Sequence, residues 1–405
     1  MQRKKCISWL VGAVTIAMTW LANGEDWPRW RGPQLNGIST EKDWTAQWPQ
    51  GGPQKLWTAN VGVGFASFTV ANGRVYTTGN ANGKDTVYCF DAQTGKVLWQ
   101  HSYEHPLDDK YFEGGTAATP TVDGSFVYQL SRRGHLFCLD AATGKVLWGK
   151  NLAAETGARM PEWGFSSSPL VEGDLLILNM GEHGTAVNKK TGEVVWKSGP
   201  GAAGYASAVP FTEEGRTRLA IFGAKSLFAV EKDTGAMAWS FPWKTSYDVN
   251  AADPIISGNT VFLSSSYGTG AGLIEFKQGK ATAIWQNKSM RNHFNSCVLI
   301  DGYLYGCSGE AGSASHLMCL EHKTGQVKWT EKSVGLGSLM AADGKLIVMS
   351  DKGELIIAKA QPTGFEALAR AKVLSGKCWT TPVLANGRIY CRNAAGNVVC
   401  LDVKK

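Results

Sequence analysis

The chain has 405 residues, 43% of them hydrophobic and only 19% charged, against about 25% charged in an average globular domain, which excludes intrinsic disorder. Its formal charge of +7 is spread without a basic run or arm, so nucleic acid is not an expected partner. With 48 glycines and 16 tryptophans against 14 prolines, the composition asks for many tight turns around a large aromatic core.

Taken in chain order, Arg3, Lys4 and Lys5 precede an uncharged run from Cys6 to Gly24 that ends in the small-residue site Ala22-Asn23-Gly24, the pattern of an export signal over residues 1–24. Its apolar part, Ile7 to Leu21, falls short of the roughly 20 residues a membrane helix needs. A cleaved signal is therefore expected rather than a retained anchor. No integral span would remain after cleavage, and the protein would reside in a periplasm or outside the cell. Residues 25–53, carrying Trp27 and Trp30, read as a strap plugging onto the domain behind them; an exposed arm offering paired aromatics to a partner is the alternative.

Residues 54–405 read as a single repetitive domain. The phrase Asp91-Ala-Gln-Thr94-Gly95-Lys-Val-Leu-Trp99 returns from Asp140 to Trp148, from Asn188 to Trp196, from Glu231 to Trp239 and from Glu321 to Trp329, with worn copies at Gly279 to Trp285 and Thr363 to Ala369. From Trp99 to Trp329 the terminal tryptophans stand 49, 48, 43, 46 and 44 residues apart, a period that means four-stranded blades or helical pairs. Alternating runs such as Phe126-Val-Tyr-Gln-Leu, separated by turns such as Asp123-Gly124, decide for strands. The last strand of each unit carries its tryptophan where it can wedge between neighbours, so Trp57, Trp99, Trp148, Trp196, Trp239, Trp285 and Trp329 are expected to pack blades rather than to act on a ligand.

The two ends of the domain complete each other. Lys55-Leu56-Trp57 is an outer strand without a blade, and Val398 to Asp402 stops where an outer strand should follow. Joining them gives an all-β, eight-bladed propeller of antiparallel four-stranded blades, closed by its own termini so that no sheet edge is left at the junction. Seven blades would require one worn copy to be an insertion. Cys89, Cys138, Cys319 and Cys400 recur at a slot that elsewhere holds Ala186 or Ala229 and read as small packing residues. Two disulfides are conceivable in an exported chain, Cys391 with Cys400 and Cys307 with Cys319.

On the Asp-x-x-Thr-Gly-x-x-x-Trp phrase and its period, the chain resembles the pyrroloquinoline-quinone (PQQ) repeat propellers over nearly all of Gln54 to Asp402. It looks closest to exported PQQ-like proteins that begin with Trp-Pro-Arg-Trp-Arg-Gly-Pro, here Trp27 to Pro33, and carry Trp-Gly-Phe-Ser-Ser-Ser-Pro, here Trp163 to Pro169. The repeat is shared by quinoprotein dehydrogenases and by a lipoprotein scaffold of outer-membrane barrel assembly, so the resemblance implies two roles. A dehydrogenase implies PQQ over the channel, calcium, a catalytic aspartate and a vicinal disulfide; no two cysteines are adjacent here. The scaffold implies a lipidated cysteine after the signal, and only Cys6, ahead of the apolar run, lies near it.

In a propeller the segments leading into each blade's first strand cluster at one channel mouth. These segments hold Glu113; Arg159, Glu162 and Trp163; Tyr205; Tyr247, Asp248 and Asn250; Arg291, Asn292 and His293; and Lys377 with Trp379. Glu113, Asp248 and Asn250 carry oxygens suited to calcium, Arg291 and Lys377 could hold an acidic ligand, and Trp163 or Trp379 could stack on a flat one. If a quinone were bound, Asp248 or Glu113 would be the base. The same residues also serve simply to solvate a channel mouth. The favoured reading is a binding or scaffold module for a protein or small-molecule ligand, with no cofactor; the alternative is a PQQ- and calcium-dependent alcohol or sugar dehydrogenase. His101-Ser-Tyr-Glu-His105 has metal-like spacing but no helix to present it; the stretch at Gly62 lacks the third glycine of a dinucleotide loop, and that at Gly79 lacks the spacing of a phosphate loop.

Overall fold

The computed structural model describes residues 24–110 and 112–405; the export signal expected over 1–24 lies, except for Gly24, outside the described residues. Eight sheets are arranged as an eight-bladed β-propeller. Blade 1 runs from the strand Thr69–Ala71 to the strand Val97–Glu104, blade 2 from Thr121–Asp123 to Val146–Asn151, blade 3 from Leu170–Glu172 to Val194–Lys197 and blade 4 from Val209–Glu213 to Met237–Pro242. Blade 5 runs from Ile255–Ser257 to Lys280–Asn287, blade 6 from Val298–Ile300 to Val327–Glu331 and blade 7 from Ser338–Ala342 to Ala367–Lys372. Blade 8 takes three strands from Val383–Ala385 to Asn397–Asp402 and its fourth, Lys55–Asn60, from the start of the chain.

Packing on both faces explains the hydrophobic patterns. A middle strand such as Leu175–Leu178 is buried at every residue because blades cover both of its faces, which is why it reads as a continuous apolar run. The outer strand Val194–Lys197 buries only Trp196. Each repeat phrase folds into one turn. The Asp91 carboxylate accepts from the backbone of Gln93 and Thr94 and from the Thr94 hydroxyl, and Gly95 takes the left-handed φ of 71° that closes it. A bulge then sets Trp99 opposite Cys89 while Phe90 pairs with Val97, leaving Val97 and Leu98 exposed and the indole inward.

The indole reaches across to the next blade. Trp99 Nε1 donates to Ala141 O at 3.0 Å, and Trp57, Trp148, Trp196, Trp285 and Trp329 make the same bond to Ala92, Lys189, Lys232, His322 and Gln361. Trp239 differs: blade 5 offers it a shortened turn at Gly279, and its indole donates instead to the Glu213 carboxylate. In blade 7 the worn copy puts Ala369 opposite Ile357, where a tryptophan would sit.

The eight described cysteines are all buried and free. Neither proposed disulfide forms, and register gives the reason: Cys391 pairs with Val399 and Cys400 with Tyr390, so the two thiols point to opposite faces of their hairpin. Cys307 pairs with Leu317 and Cys319 with Tyr305, a diagonal offset. Cys89, Cys138, Cys319 and Cys400 each lie between a tyrosine and a tryptophan of their own blade, and burial raises their thiol pKa values.

The segment ahead of blade 8's closing strand crosses one end of the channel. Trp27 exchanges backbone bonds with Val70 of blade 1, Pro28 O accepts from Val122 of blade 2, and the Arg29 guanidinium reaches Val171 O of blade 3. On the far side Arg31 donates to Cys297 O of blade 6, and Ile38–Ser39 adds a parallel fifth strand to blade 7. Trp27 is 2% exposed. The exposed-arm reading therefore does not hold for this tryptophan, whose side chain is spent on the ring.

Candidate functional site

Two rings of side chains line the channel, one position per blade. The lower ring lies two residues before the inner strand in seven blades, at Ser67, Thr119, Ser168, Ser207, Asp253, Ser296 and Thr381, and in blade 7 at Ser338, the first residue of the inner strand. The backbone N–H of Ser67 donates to the Thr119 hydroxyl, Thr119 to Ser168, Ser168 to Ser207, Ser207 to the Asp253 carboxylate and Asp253 to the Ser296 hydroxyl, at 2.8–3.0 Å. In Thr119, Ser168, Ser207, Asp253 and Ser296 the short polar side chain thus satisfies an amide of the preceding blade that no strand could reach, while the Ser67 hydroxyl donates to Thr381 O. In blade 5 the hydroxyl is replaced by a carboxylate.

Asp253 ties the strap to this ring. Its Oδ2 accepts from the Trp30 indole and lies 3.7 Å from the Arg31 guanidinium. Burial pushes its carboxyl pKa up, and the Arg31 charge and the hydrogen bonds from Ser207, Trp30 and Ser296 oppose that rise. Arg31 is itself buried and donates to the carbonyls of Leu35, Asn36 and Cys297. The Trp-Pro-Arg-Trp-Arg-Gly-Pro segment is thus a floor, with Trp30 facing upward into the channel.

Above it, two residues further out, stand Phe65, Ala117, Ser166, Tyr205, Ala251, Phe294, Leu336 and Trp379. All but Leu336 line a cavity of about 300 Å³ open at the mouth, which Trp30, Phe112, Trp163, Tyr267 and His293 also line. The rings form a continuous arc. Phe112 packs 5.8 Å from Phe65, Phe65 5.7 Å from Trp379, Trp379 4.5 Å from Phe294, Phe294 4.9 Å from His293, and His293 5.2 Å from Tyr267, centroid to centroid. Across the channel Trp163 and Tyr205 lie 6.0 Å apart. Burial lowers the His293 pKa to about 4, and its Nδ1 accepts from Ala311 N.

Of the residues expected from sequence, Trp163, Tyr205, His293 and Trp379 meet at this cavity. Lys377 and Glu113 meet at its rim as an ion pair at 2.6 Å, the ammonium lying 4.2 Å above the Trp379 ring. The others go elsewhere. Asn250 is wholly buried and spends its amide on Gly223 O, Ala224 O, Trp243 O and the Ser265 hydroxyl. Asn292 likewise bonds Asn295, Cys307 O and Cys297. Glu162 pairs with Lys110 outside the cavity, Tyr247 is 70% exposed with its edge on Tyr267, and neither Asp248 nor Arg291 lines the cavity. Phe65, Phe112, Tyr267 and Phe294 were not singled out in the sequence. Phe65 and Phe294 share the repeat position of Tyr205 and Trp379, and alignment of the repeats two residues ahead of the hydroxyl would have found them.

Quinone and calcium do not fit this donor set. PQQ is a polycarboxylate, and among the described residues no lysine or arginine lines the cavity. Nearby Arg132 is spent on the carbonyls of Leu107, Asp108 and Trp163. Asp253, the single lining carboxylate among the described residues, is already engaged by Trp30, Ser207 and Arg31. Among the described residues no group of three His, Cys, Asp or Glu side chains is placed to hold a metal, and Asn250 has no free oxygen to lend.

The model of the PQQ_2 family, described as outer membrane protein assembly factor BamB, matches residues 49–116 and 83–331, well over half of the chain. No curated protein matches it. Among solved structures, BamB from Moraxella catarrhalis is similar at 17% identity and a TM-score of 0.62, over 87% of this chain and 98% of its own. The quinohemoprotein alcohol dehydrogenase from Comamonas testosteroni is similar at 15% identity and 0.70, over 93% and 80%. A europium-containing methanol dehydrogenase follows at 13% identity and 0.68, over 90% and 89%. Likeness at these identities is likeness of fold.

Proposed function

This chain belongs to the PQQ-repeat β-propeller family, and from that premise we propose that it works as a binding module whose ligand or partner docks at the aromatic mouth of the channel. One observation carries the reading: among the described residues the cavity is walled by rings, methyl groups and hydroxyls, and the one carboxylate among them, Asp253, is consumed by the strap. A dehydrogenase of this fold needs a base, a cation and anion-holding side chains converging on one point, and Asp248, Glu113, Asn250 and Arg291 do not converge. The charged segment at Arg3 to Lys5 with the apolar run behind it supports export. No helix among the described residues is long and apolar enough to cross a membrane.

The test is thermal unfolding of residues 25–405 with and without PQQ and calcium, followed by reduction of a redox dye in the presence of a primary alcohol. The expected outcome is an unshifted transition and no dye reduction. A ligand at 100 times its Kd that bound only the folded ring would add about 2.7 kcal/mol of stability. Such a shift together with dye turnover would replace the binding reading by the dehydrogenase.

A further inference from the structure

The upper ring is lopsided. Going round the channel, Phe294 of blade 6, Trp379 of blade 8 and Phe65 of blade 1 form one side, with centroid separations of 4.5 and 5.7 Å. The equivalent positions of blades 2, 3 and 5 are Ala117, Ser166 and Ala251, all lining the same cavity. The repeat thus builds one wall from large rings and leaves the positions of blades 2, 3 and 5 small, with Tyr205 of blade 4 and Trp163 facing that wall across the gap, where an eight-fold arrangement of equal side chains would have filled or opened the channel evenly. Below lies the Trp30 indole. Among the described residues the only lining carboxylate, Asp253, is matched by the Arg31 charge, so their side chains offer a bound anion no free cation at the bottom of the cavity and a bound cation no free anion.

We infer that this cavity is a slot for an uncharged planar aromatic ring system, laid against the Trp379–Phe294–Phe65 wall and seated over Trp30. The inference deepens the binding-module reading of the same site and rests on it. Offset or edge contact with the rings of the wall supplies attraction beyond simple area burial, whereas an anionic group carried on the same ring would be desolvated with no free cation near it among the described residues, Lys377 at the rim being already paired with Glu113, and is excluded.

A matched pair of probes tests it: neutral 2-naphthol and anionic 2-naphthoate, titrated calorimetrically into residues 25–405. The expected result is binding of 2-naphthol about tenfold or more tighter than 2-naphthoate. Ala251→Trp fills the low side and should weaken 2-naphthol by about tenfold or more while the thermal transition stays cooperative. Phe294→Leu, which keeps an apolar side chain and removes a ring of the wall, should weaken it in the same direction and carries the test if Ala251→Trp fails to fold. Equal or tighter binding of 2-naphthoate, no binding of 2-naphthol up to its solubility, or unchanged affinity in both variants would overturn the slot. Those results leave the binding-module reading standing, since that reading falls on quinone-dependent dye turnover instead.

Discussion

Asp253 stands where seven other blades place serine or threonine, and the strap explains the exception. A hydroxyl there could accept the Ser207 amide but could not also receive the Trp30 indole and face Arg31. Asp253→Ser therefore restores the local pattern and strands a buried guanidinium, with an expected loss of about 3 kcal/mol in urea unfolding. Removing both charges, as Arg31→Met with Asp253→Ser, should recover part of it. Histidines give a second residue-scale expectation. Burial lowers the pKa of His101, His135, His183, His293, His316 and His322, that of His293 to about 4. The unfolded chain takes up protons as pH falls through about 6.5 while the folded ring does not. Stability is thus full above that pH and falls between about 6.5 and 4, His293 contributing up to about 3 kcal/mol of the fall. Unfolding curves across that range should show a shallower slope for His293→Gln. Trp163, Tyr205, His293 and Trp379 came to the cavity as expected because the segments leading into the inner strands cluster at one channel mouth, although Tyr247 from the same kind of segment faces outward. Sequence alone misread Asn250 and Asn292, because whether an amide meets a ligand or a neighbouring blade's carbonyl depends on residues tens of positions away.

At the level of the repeated element, the Thr-Gly turn and the preceding blade's tryptophan form one joint. A Cβ on Gly144 would fall 2.6 Å from the Trp99 ring, whereas one on Gly279 would meet open space, and both glycines hold a left-handed φ, 73° and 71°. Gly279→Ala should then cost about 1 kcal/mol, the conformational penalty alone. Gly144→Ala should cost about 3 kcal/mol because the indole must also move and strain its bond to Ala141; paired chemical denaturation of the two variants measures the difference. This joint is why the architecture was legible: the same eight or nine residues solve the same packing problem at five places, and the spacing between solutions is the blade. The bulge beside each tryptophan, the shortened turn at Gly279 and the fifth strand on blade 7 were not legible. Each is a response to a neighbouring blade, and a repeat records only what its copies share.

On the scale of the whole ring, the first strand and the last are one sheet, Lys55 pairing with Leu401 and Asn60 with Asn397. Deleting residues 24–45 removes the floor but keeps this closure, so the truncated protein should elute from size exclusion without aggregating, like the intact one, and melt at a lower temperature. Deleting through residue 60 also exposes the edge of Asn397–Asp402 and takes away the Trp57 indole packed on the turn of blade 1 at Gly95; loss of a cooperative transition and aggregation are the expected readouts. The same clasp has a consequence in time. The strand that completes blade 8 leaves the ribosome near the beginning of synthesis and its partner near the end. Until the final residues arrive, the growing ring displays two raw sheet edges that any edge-binding chaperone or protease could engage. A product cut short anywhere before Asn397 can never conceal them, so closure reports on synthesis: only a chain that has reached Asp402 buries the edges that an unfinished one displays.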